Sequence, residues 1–464
     1  MTGIFLFRIT LIRFLLLSSE NYENSLFNAN IHKKHNIIYF CLKFVQIVKK
    51  YLSNLSIYAI INIYFSVGRR KTMKKIAILD DIASETNGKS YKTYKYCFDG
   101  VDVPRMDYDD HKQQFTWKSH GETEYHDAPV PLKKYADVIL ETQVPLFRFF
   151  LDGSRKIYKV DDMAYSNRVY PIIAGQVGVG CCERVDKHMI PLRSKDSIMF
   201  WRDLVIALPK IAKSGDWDDN KFAFENLRKK INNNLELMQR KLEFTSIMPY
   251  STKVEMGDKI ENKGIAVIQD YMVEREKAMV AELVRCGFLL PSSYLLKDGS
   301  LEYQVHNIGS KRELERFRNN YQFVVGVSKS FNPEYCVDKN GRNNSDMIAN
   351  LELFSRTPVS KYYSDRIGDM YFAVWFVRIR DRKYTDNPFD GILKIEKILI
   401  NDDQIDNGLD SEEVDLITAN IINERNPVCY GADRRWANHL YPVYVTESYL
   451  KSKYLGESMF LNLF

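Results

Sequence analysis

The sequence predicts an α/β protein with a mixed β-sheet, because apolar runs of strand length alternate with segments that have helical spacing. A chain of 464 residues that is 45% hydrophobic and 27% charged has enough apolar residues to bury a core. Collagen-like, coiled-coil and wholly disordered chains are thereby excluded. The predicted strands lie near residues 145–151, 169–180, 294–301, 321–330, 371–380 and 392–398, and C-terminal helices are predicted within 402–425 and 446–460.

The first 72 residues differ from the rest of the chain in charge. They hold ten Lys and Arg and two acidic residues, whereas residues 73–464 hold 56 basic and 58 acidic residues, so the net charge of +6 comes from the N-terminal segment. The codons for Gly68–Thr72 can form a purine-rich run like a bacterial ribosome-binding site, which predicts a translation start at Met73. The alternative is a membrane anchor in the interrupted apolar stretch 52–67.

Changes in sequence character predict the domain boundaries. Residues 73–145 are polar and aromatic with turn signals such as Asn87-Gly88, which predicts a small β-rich N-terminal module. Residues 146–464 form the main domain, in which 196–262 is predicted to be a helical insertion. At the start of this domain, the predicted strands within 146–182 form a hairpin or meander with a glycine-rich, close-packed edge.

The predicted insertion contains apolar residues at helical spacing between Leu227 and Leu242. Basic residues lie on the other faces of the same predicted helix, at positions 228–230 and 240–241. One interpretation is the solvated face of a packed helix, and the other is a basic helix that faces DNA.

A second predicted helix, over residues 265–285, carries a carboxylate in the middle of an apolar face. On a helical wheel, Glu276 lies near the centre of an arc that includes Ile268 and Val284, whereas Glu282 lies outside it. A buried carboxylate is costly unless it is paired, protonated or bound to a metal. Glu276 is therefore a candidate functional residue, with an ion pair across a helix contact as the alternative.

Two Asp-Gly-Ser motifs, at Asp152 and Asp298, each follow an apolar run. An Asp at the end of a buried strand, followed by Gly, projects its carboxylate where a ligand can approach the backbone closely. Two such strands side by side would bring the two carboxylates together, and a divalent cation with hard oxygen ligands would relieve their repulsion. With Glu276 they predict a site for one or two Mg²⁺ or Mn²⁺ ions that activate water.

The order of these motifs resembles the NurA nucleases. Asp-Gly-Ser after a strand, a helix that carries a Glu, a second Asp-Gly-Ser-Leu, the stretch Val-Val-Gly-Val-Ser-Lys and a Tyr-Pro before a C-terminal helix follow one another within about 146–464. The resemblance implies an RNase H-like (Piwi-like) core and a metal-dependent nuclease that processes DNA ends. It also implies a homodimer that works with a HerA-like hexameric ATPase in DNA repair or phage defence.

The resemblance also implies roles for individual residues. Asp152 and Asp298 resemble the two metal-binding aspartates of the family, and Glu276 resembles its helical glutamate. Lys329 would lie near the scissile phosphate, where its charge stabilises developing negative charge. Tyr441 resembles the family's Tyr before Pro.

One position departs from the family pattern. Eight residues after Tyr441 the family usually has a His, and this chain has Tyr449. Glu447 is the candidate that supplies a metal ligand in its place. The same departure favours an alternative function, a catalytically weak NurA-like adaptor that docks on the ATPase. A guide-strand binder like the argonautes is less favoured, because the chain is short for the additional domains.

Basic and aromatic residues interleave between the strand of Lys329 and the strand near 395. This composition is typical of a channel for single-stranded nucleic acid, and equally of an amphipathic strand with a solvated face. The residues concerned are Arg356, Lys361, Tyr362, Tyr363, Arg366, Trp375, Arg378 and Arg380.

Cysteine usage predicts a cytoplasmic location. The chain has seven cysteines and no CxxC spacing, which argues against a secreted disulfide framework. Together with the predicted start at Met73, this makes a membrane association unexpected.

Overall fold

A computed structural model of the protein describes residues 78–98, 116–142, 144–194, 197–212, 224–253, 259–302, 310–364, 370–385, 387–426 and 434–464. The predictions for residues 1–72 and for Arg366 lie outside these ranges. The described residues have the α/β architecture that the sequence predicts.

The main sheet combines parallel and antiparallel strands. The strands are β1 Lys89–Ser90, β2 Tyr96–Cys97, β3 Thr116–His120, β4 Val130–Pro131, β5 Phe147–Tyr165, β6 Arg168–Val185, β7 His188–Pro191, β8 Arg193–Ser194, β9 Ser197–Ile198, β10 Phe200–Pro209, β11 Phe244–Tyr250, β12 Tyr294–Asp298, β13 Val324–Ser328, β14 Ser355–Arg356, β15 Ser360–Ser364, β16 Met370–Arg378 and β17 Ile392–Ile398. Their order in the main sheet is β11-β10-β6-β5-β12-β13-β17-β16-β14-β4. Strands β5, β12 and β13 run parallel to one another, whereas β6, β10 and β17 join the sheet through antiparallel pairs.

Helices cover both faces of this sheet. The helices are α1 Ile78–Thr86, α2 Lys133–Thr142, α3 Glu225–Asn232, α4 Leu235–Gln239, α5 Ile260–Arg285, α6 Lys311–Asn320, α7 Ser345–Ala349, α8 Asp402–Asn407, α9 Ser411–Asn423, α10 Tyr441–Lys451 and α11 Glu457–Leu461. Helix α5 packs on one face, in a core with Leu151 and Leu295, and the C-terminal helices pack on the other. Among the described residues, none of the helices is both long and apolar enough to cross a membrane.

The predicted hairpin is confirmed, but its glycine-rich strand is not an edge. Strand β6 lies between β5 and β10 and pairs with both. Its glycines instead allow helices to approach the sheet. A Cβ added at Gly175 would lie 3.3 Å from Ile268 of α5, and one at Gly180 would lie 2.9 Å from Leu450 of α10.

The predicted helical insertion at 196–262 is wrong in part, because this segment supplies two strands of the main sheet. Strand β10 pairs with β6, and β11 extends the sheet by pairing parallel to β10. The single helix expected between Leu227 and Leu242 is divided into α3 and α4 at Asn234, whose side chain accepts from the backbone N–H of Glu236 as an N-cap.

The basic residues of that segment are engaged with carboxylates. Arg228 binds Glu225, and Lys230 lies 2.7 Å from Glu85 of the preceding helix α1. The interpretation as a solvated, ion-paired helix face is therefore favoured over a basic helix that faces DNA.

The N-terminal segment does not form a separate β-rich module. Strands β1 and β2 pair with β5, β3 pairs with β15, and β4 pairs with β14. The described residues from 78 onward accordingly belong to a single compact unit. The local turn signals predicted short strands correctly, but pairing with distant strands is not visible in a local pattern.

Candidate functional site

The two Asp-Gly-Ser motifs lie side by side, as the sequence predicts. Strands β5 and β12 are parallel neighbours, and their pairing ends with Lys297 opposite Leu151, one residue before Asp298 and Asp152. The expectation that both aspartates end a strand holds only for Asp298. Strand β5 runs on through Asp152 because it stays paired with β6 as far as Tyr165.

Side-chain alternation then places the two aspartates on one face. Residues that alternate along a strand point to opposite faces, and Leu151 lies in the core beneath α5. Asp152 therefore points to the other face, toward α10. Cys182, which pairs with Phe150 across the hairpin, supports this assignment because its thiol hydrogen-bonds with Thr446 of α10.

Two further predicted residues, Glu447 and Lys329, join the aspartates on this face. Lys329 follows β13, and its Nζ lies 2.9 Å from Asp298 Oδ2. Glu447 projects from α10, and its charge acts on both Asp152 and Lys329. Four of the predicted site residues, from four different elements, are thus brought together.

The electrostatics of this cluster are those of crowded carboxylates around one buried member, Asp152. Burial, and then the charges of Asp298 and Glu447, raise the pKa of Asp152 well above its usual value. Burial alone would lower the pKa of Lys329, but the carboxylates of Asp298, Glu447 and Asp152 raise it above the usual value. Asp152 is 3% exposed, and its Oδ2 has no hydrogen-bond partner among the described residues. A buried oxygen of this kind is expected to have a ligand.

Glu276 is buried, as the helical wheel predicts, but it lies on the opposite face of the sheet. Its Oε2 is 3.1 Å from Nζ of Lys297, and both side chains are almost fully buried. The carboxylate fills the space that a side chain at Gly153 would need, since a Cβ there would lie 2.1 Å from Glu276 Oε1. Burial raises the pKa of Glu276, and the Lys297 charge opposes that shift.

Lys297 is the residue that the sequence analysis missed. A signal was present, because Lys297 interrupts the apolar run of β12, which is buried between two parallel neighbours. A lysine in such a strand requires a partner of opposite charge, and Glu276 on the preceding helix was the buried carboxylate available.

Tyr441 and Tyr449 lie apart from the carboxylates. Tyr441 is the first residue of α10 and is 44% exposed. It lies six residues before Glu447, which places the two side chains about 120° apart around the helix. The ring of Tyr449 packs edge-on against Phe200 of β10, with 5.5 Å between centroids. Of the candidates near the C-terminal helix, only Glu447 reaches the site.

Neither alternative for the basic and aromatic residues, a single-strand channel or a solvated strand face, is correct, because most of these side chains are interior. Arg356 and Trp375 have no exposed surface, and Arg378 is 1% exposed. Arg378 donates to backbone carbonyls such as that of Leu351. Arg356 binds Glu122 and Asp415. Composition alone did not distinguish buried cations that have partners from cations that line a groove.

The donor set on the α10 face fits a divalent cation. Asp152, Asp298 and Glu447 offer hard carboxylate oxygens from three elements, one of them without a partner among the described residues. Within the same described residues, no three Asp, Glu, His or Cys side chains are close enough to form a complete ligand set. Lys329 is instead the cation that now contacts Asp298.

The raised pKa of Asp152 predicts a dependence of stability on pH. The folded-state pKa lies above the unfolded value of about 3.9, so the protonated group favours folding. This contribution is complete below about pH 3.9 and is lost as pH rises through the folded-state pKa. We expect Asp152→Asn, which cannot ionise, to lose less stability over this window and to be more stable than the wild type at neutral pH.

Urea unfolding across this pH window, with a chelator present, tests the expectation. Asp186→Asn, in the exposed turn after β6, is the matched control and should follow the wild-type profile. Parallel profiles for Asp152→Asn and the wild type would contradict the predicted penalty at Asp152.

No protein-family model matches this chain, and a search of curated proteins finds no match either, so its functional interpretation depends on the geometry of the site and on the motif order.

Proposed function

We propose that the protein is a metal-dependent nuclease that hydrolyses phosphodiester bonds at DNA ends. The main support for the proposal is that Asp152, Asp298, Glu447 and Lys329 lie together on one face of the sheet. Three carboxylates, of which Asp152 is buried, beside the ammonium of Lys329 could hold a divalent cation and position a phosphate, and four elements distant in sequence converge to build the cluster.

Different residues of the chain would bind the metal ion, bind the phosphate and support the site. The oxygens of Asp152, Asp298 and Glu447 would hold Mn²⁺ or Mg²⁺, and the bound ion would supply an activated water and a charge that stabilises the transition state. Lys329 places a positive charge beside the same carboxylates, where it would bind and orient a phosphate oxygen. Glu276 supports the site from the other face by fixing Lys297 beneath Asp298.

The strand arrangement supports an RNase H-like core for this nuclease. The order β10-β6-β5-β12-β13 places three antiparallel strands beside two strands parallel to β5. The connection from the β10–β11 segment to β12 runs through α5. Asp152 and Asp298 lie on the two adjacent central strands of this arrangement.

The motif order further supports action in a complex. A nuclease of the NurA kind would form a homodimer and receive DNA from a HerA-like hexameric ATPase, in DNA repair or phage defence. Because the predicted basic channel is buried, the proposed DNA contact on this chain begins at the carboxylate site itself.

The proposal is tested by degradation of linear DNA. Purified protein, alone and with its HerA-like ATPase, is incubated with end-labelled single- and double-stranded DNA in Mn²⁺, in Mg²⁺ and in excess EDTA. We expect shortening of the DNA in Mn²⁺ and none in EDTA. Intact DNA in every reaction, including those with the ATPase, would exclude the nuclease function.

One observation favours a second candidate, a weakly catalytic adaptor that docks on the ATPase. Tyr449, at the position where the family pattern has a His, packs against Phe200 rather than toward the carboxylates. An adaptor would bind the ATPase and change its ATP hydrolysis while leaving DNA intact, so the same reactions followed by an ATPase assay distinguish the two functions.

The close fit of Glu276 against Gly153 gives a stability prediction. Gly153→Ala would place a methyl group 2.1 Å from the present position of Glu276 Oε1, so the carboxylate must shift, and its ion pair with Lys297 is disturbed. We expect a loss of about 1–3 kcal/mol in the free energy of unfolding, measured by urea denaturation. Gly456→Ala has open space around the new Cβ and serves as the control. Equal stability of the two variants would contradict the fit.

A further inference from the structure

The ammonium group of Lys297 lies in a cage of oxygen atoms. Its Nζ is 3.1 Å from Glu276 Oε2, 2.7 Å from the carbonyl oxygen of Asp298 and 3.3 Å from that of Ser300. The left-handed backbone of Gly299, with φ of +86°, turns the chain between the two carbonyls. One carboxylate and two carbonyl oxygens are donors of the kind that bind hard metal cations.

The oxygen atoms around Lys297 favour a fixed positive charge at this position. The side chains of Lys297 and Glu276 are 4% and 5% exposed, so neither charge is compensated by water. An ammonium has three N–H groups, so Lys297 can donate to all three of these oxygen atoms. Lys297 is also attached to β12 next to Asp298, so its charge cannot diffuse away.

The net charges of the two faces of the sheet then differ. On the α5 face, Lys297 and Glu276 neutralise each other. On the α10 face, the carboxylates of Asp152, Asp298 and Glu447 and the ammonium groups of Lys329 and Lys451, the latter 2.6 Å from Glu447, leave one negative charge. A single divalent cation already exceeds this charge, and a second would add positive charge that no described carboxylate of the cluster balances.

We infer that the protein takes one divalent cation, on the α10 face, and that the Lys297 ammonium permanently fills the oxygen cage on the α5 face that could otherwise hold a second. The inference rests on the proposed function, and it narrows the one or two ions predicted from the sequence to one ion and one tethered charge. Asp152, Asp298 and Glu447 hold the exchangeable ion, and Glu276 serves as the counter-ion of Lys297. Removal of the ammonium opens the oxygen cage to a second ion.

Counting bound Mn²⁺ tests this inference without an activity assay. The full chain is stripped of metal, and Mn²⁺ binding is measured by isothermal titration and by the loss of the free-Mn²⁺ electron paramagnetic resonance signal. We expect one Mn²⁺ per chain for the wild type and two for Lys297→Met. The double variant Lys297→Met/Glu276→Gln, which lacks the caged carboxylate as well, should bind one. Lys230→Met, whose lysine pairs with Glu85 on the surface, is the control and should also bind one.

The outcomes separate the inference from the proposed function. Two ions on the wild type would overturn the inference and leave the metal site standing. One ion on folded Lys297→Met would show that Lys297 does not exclude a second. No binding to the wild type would overturn both the inference and the proposed metal site. If Lys297→Met does not fold, the wild-type count decides between one ion and two.

Discussion

Asp152→Asn is expected to reduce the rate of Mn²⁺-dependent DNA degradation on the order of 10²- to 10³-fold. Asp152 is the most buried carboxylate of the α10 face, and its Oδ2 has no hydrogen-bond partner among the described residues. An amide in its place removes a negative charge that the cation requires, and a bound metal contributes several kcal/mol of transition-state stabilisation. The rate is measured on end-labelled linear DNA at saturating Mn²⁺.

The fold provides an internal control for this loss of activity. Asp152→Asn should be more stable than the wild type at neutral pH, because the raised pKa of Asp152 reflects a penalty for ionisation in the folded state. Low activity in a more stable variant cannot result from misfolding. Asp186→Asn in the exposed turn should retain the wild-type rate. Full activity of Asp152→Asn would show that the hydrolysis occurs at another site or comes from another protein in the preparation.

Glu122→Ala is expected to lower the free energy of unfolding by about 3–5 kcal/mol. Glu122 follows β3, and its two oxygens lie 3.1 and 2.8 Å from the guanidinium of Arg356 on β14. Both side chains have no exposed surface, and Glu122 also accepts from the backbone N–H of Val359. Removal of the carboxylate leaves a buried guanidinium whose one remaining charged partner among the described residues is Asp415.

The control for this prediction lies two residues away. Glu124 is 71% exposed and lies 3.8 Å from His126, so Glu124→Ala should change stability by less than about 0.5 kcal/mol. Urea denaturation of the two variants beside the wild type makes the comparison. Similar midpoints for Glu122→Ala and the wild type would show that the N-terminal segment is not anchored through Arg356.

Local sequence patterns were sufficient to predict the central part of the fold and of the site. Asp152 and Asp298 followed from repeated apolar runs that end in Asp-Gly-Ser, and the burial of Glu276 followed from helical periodicity. These features are visible because they depend on residues within one strand or one helix. The position of Glu447 was suggested only by the order of motifs in a resembling family.

The failures came from contacts between distant segments. The apolar run at Leu204–Leu208 marks a strand, but helical spacing later in the same segment led to the expectation of a helical insertion. Arg356 and Arg378 resemble nucleic-acid ligands in composition, and only their partners from other segments show that they are buried. Lys297 was overlooked for the same reason, since its partner belongs to α5.

The pairing of β5 with β12 determines which side chains of β5 face α5 and which face α10. Tyr294 pairs with Phe147 and Leu295 with Phe149, so Arg148 is one extra residue in β5 at this point. A β-strand shifted by one position exchanges its two faces. If Arg148 were instead paired in register as part of a regular strand, with the pairing at Phe147 kept, Leu151 and Gly153 would face α10 and Asp152 would face the apolar side of α5. Which residues form the site thus depends on the extra residue in β5 as well as on the sequence of that strand.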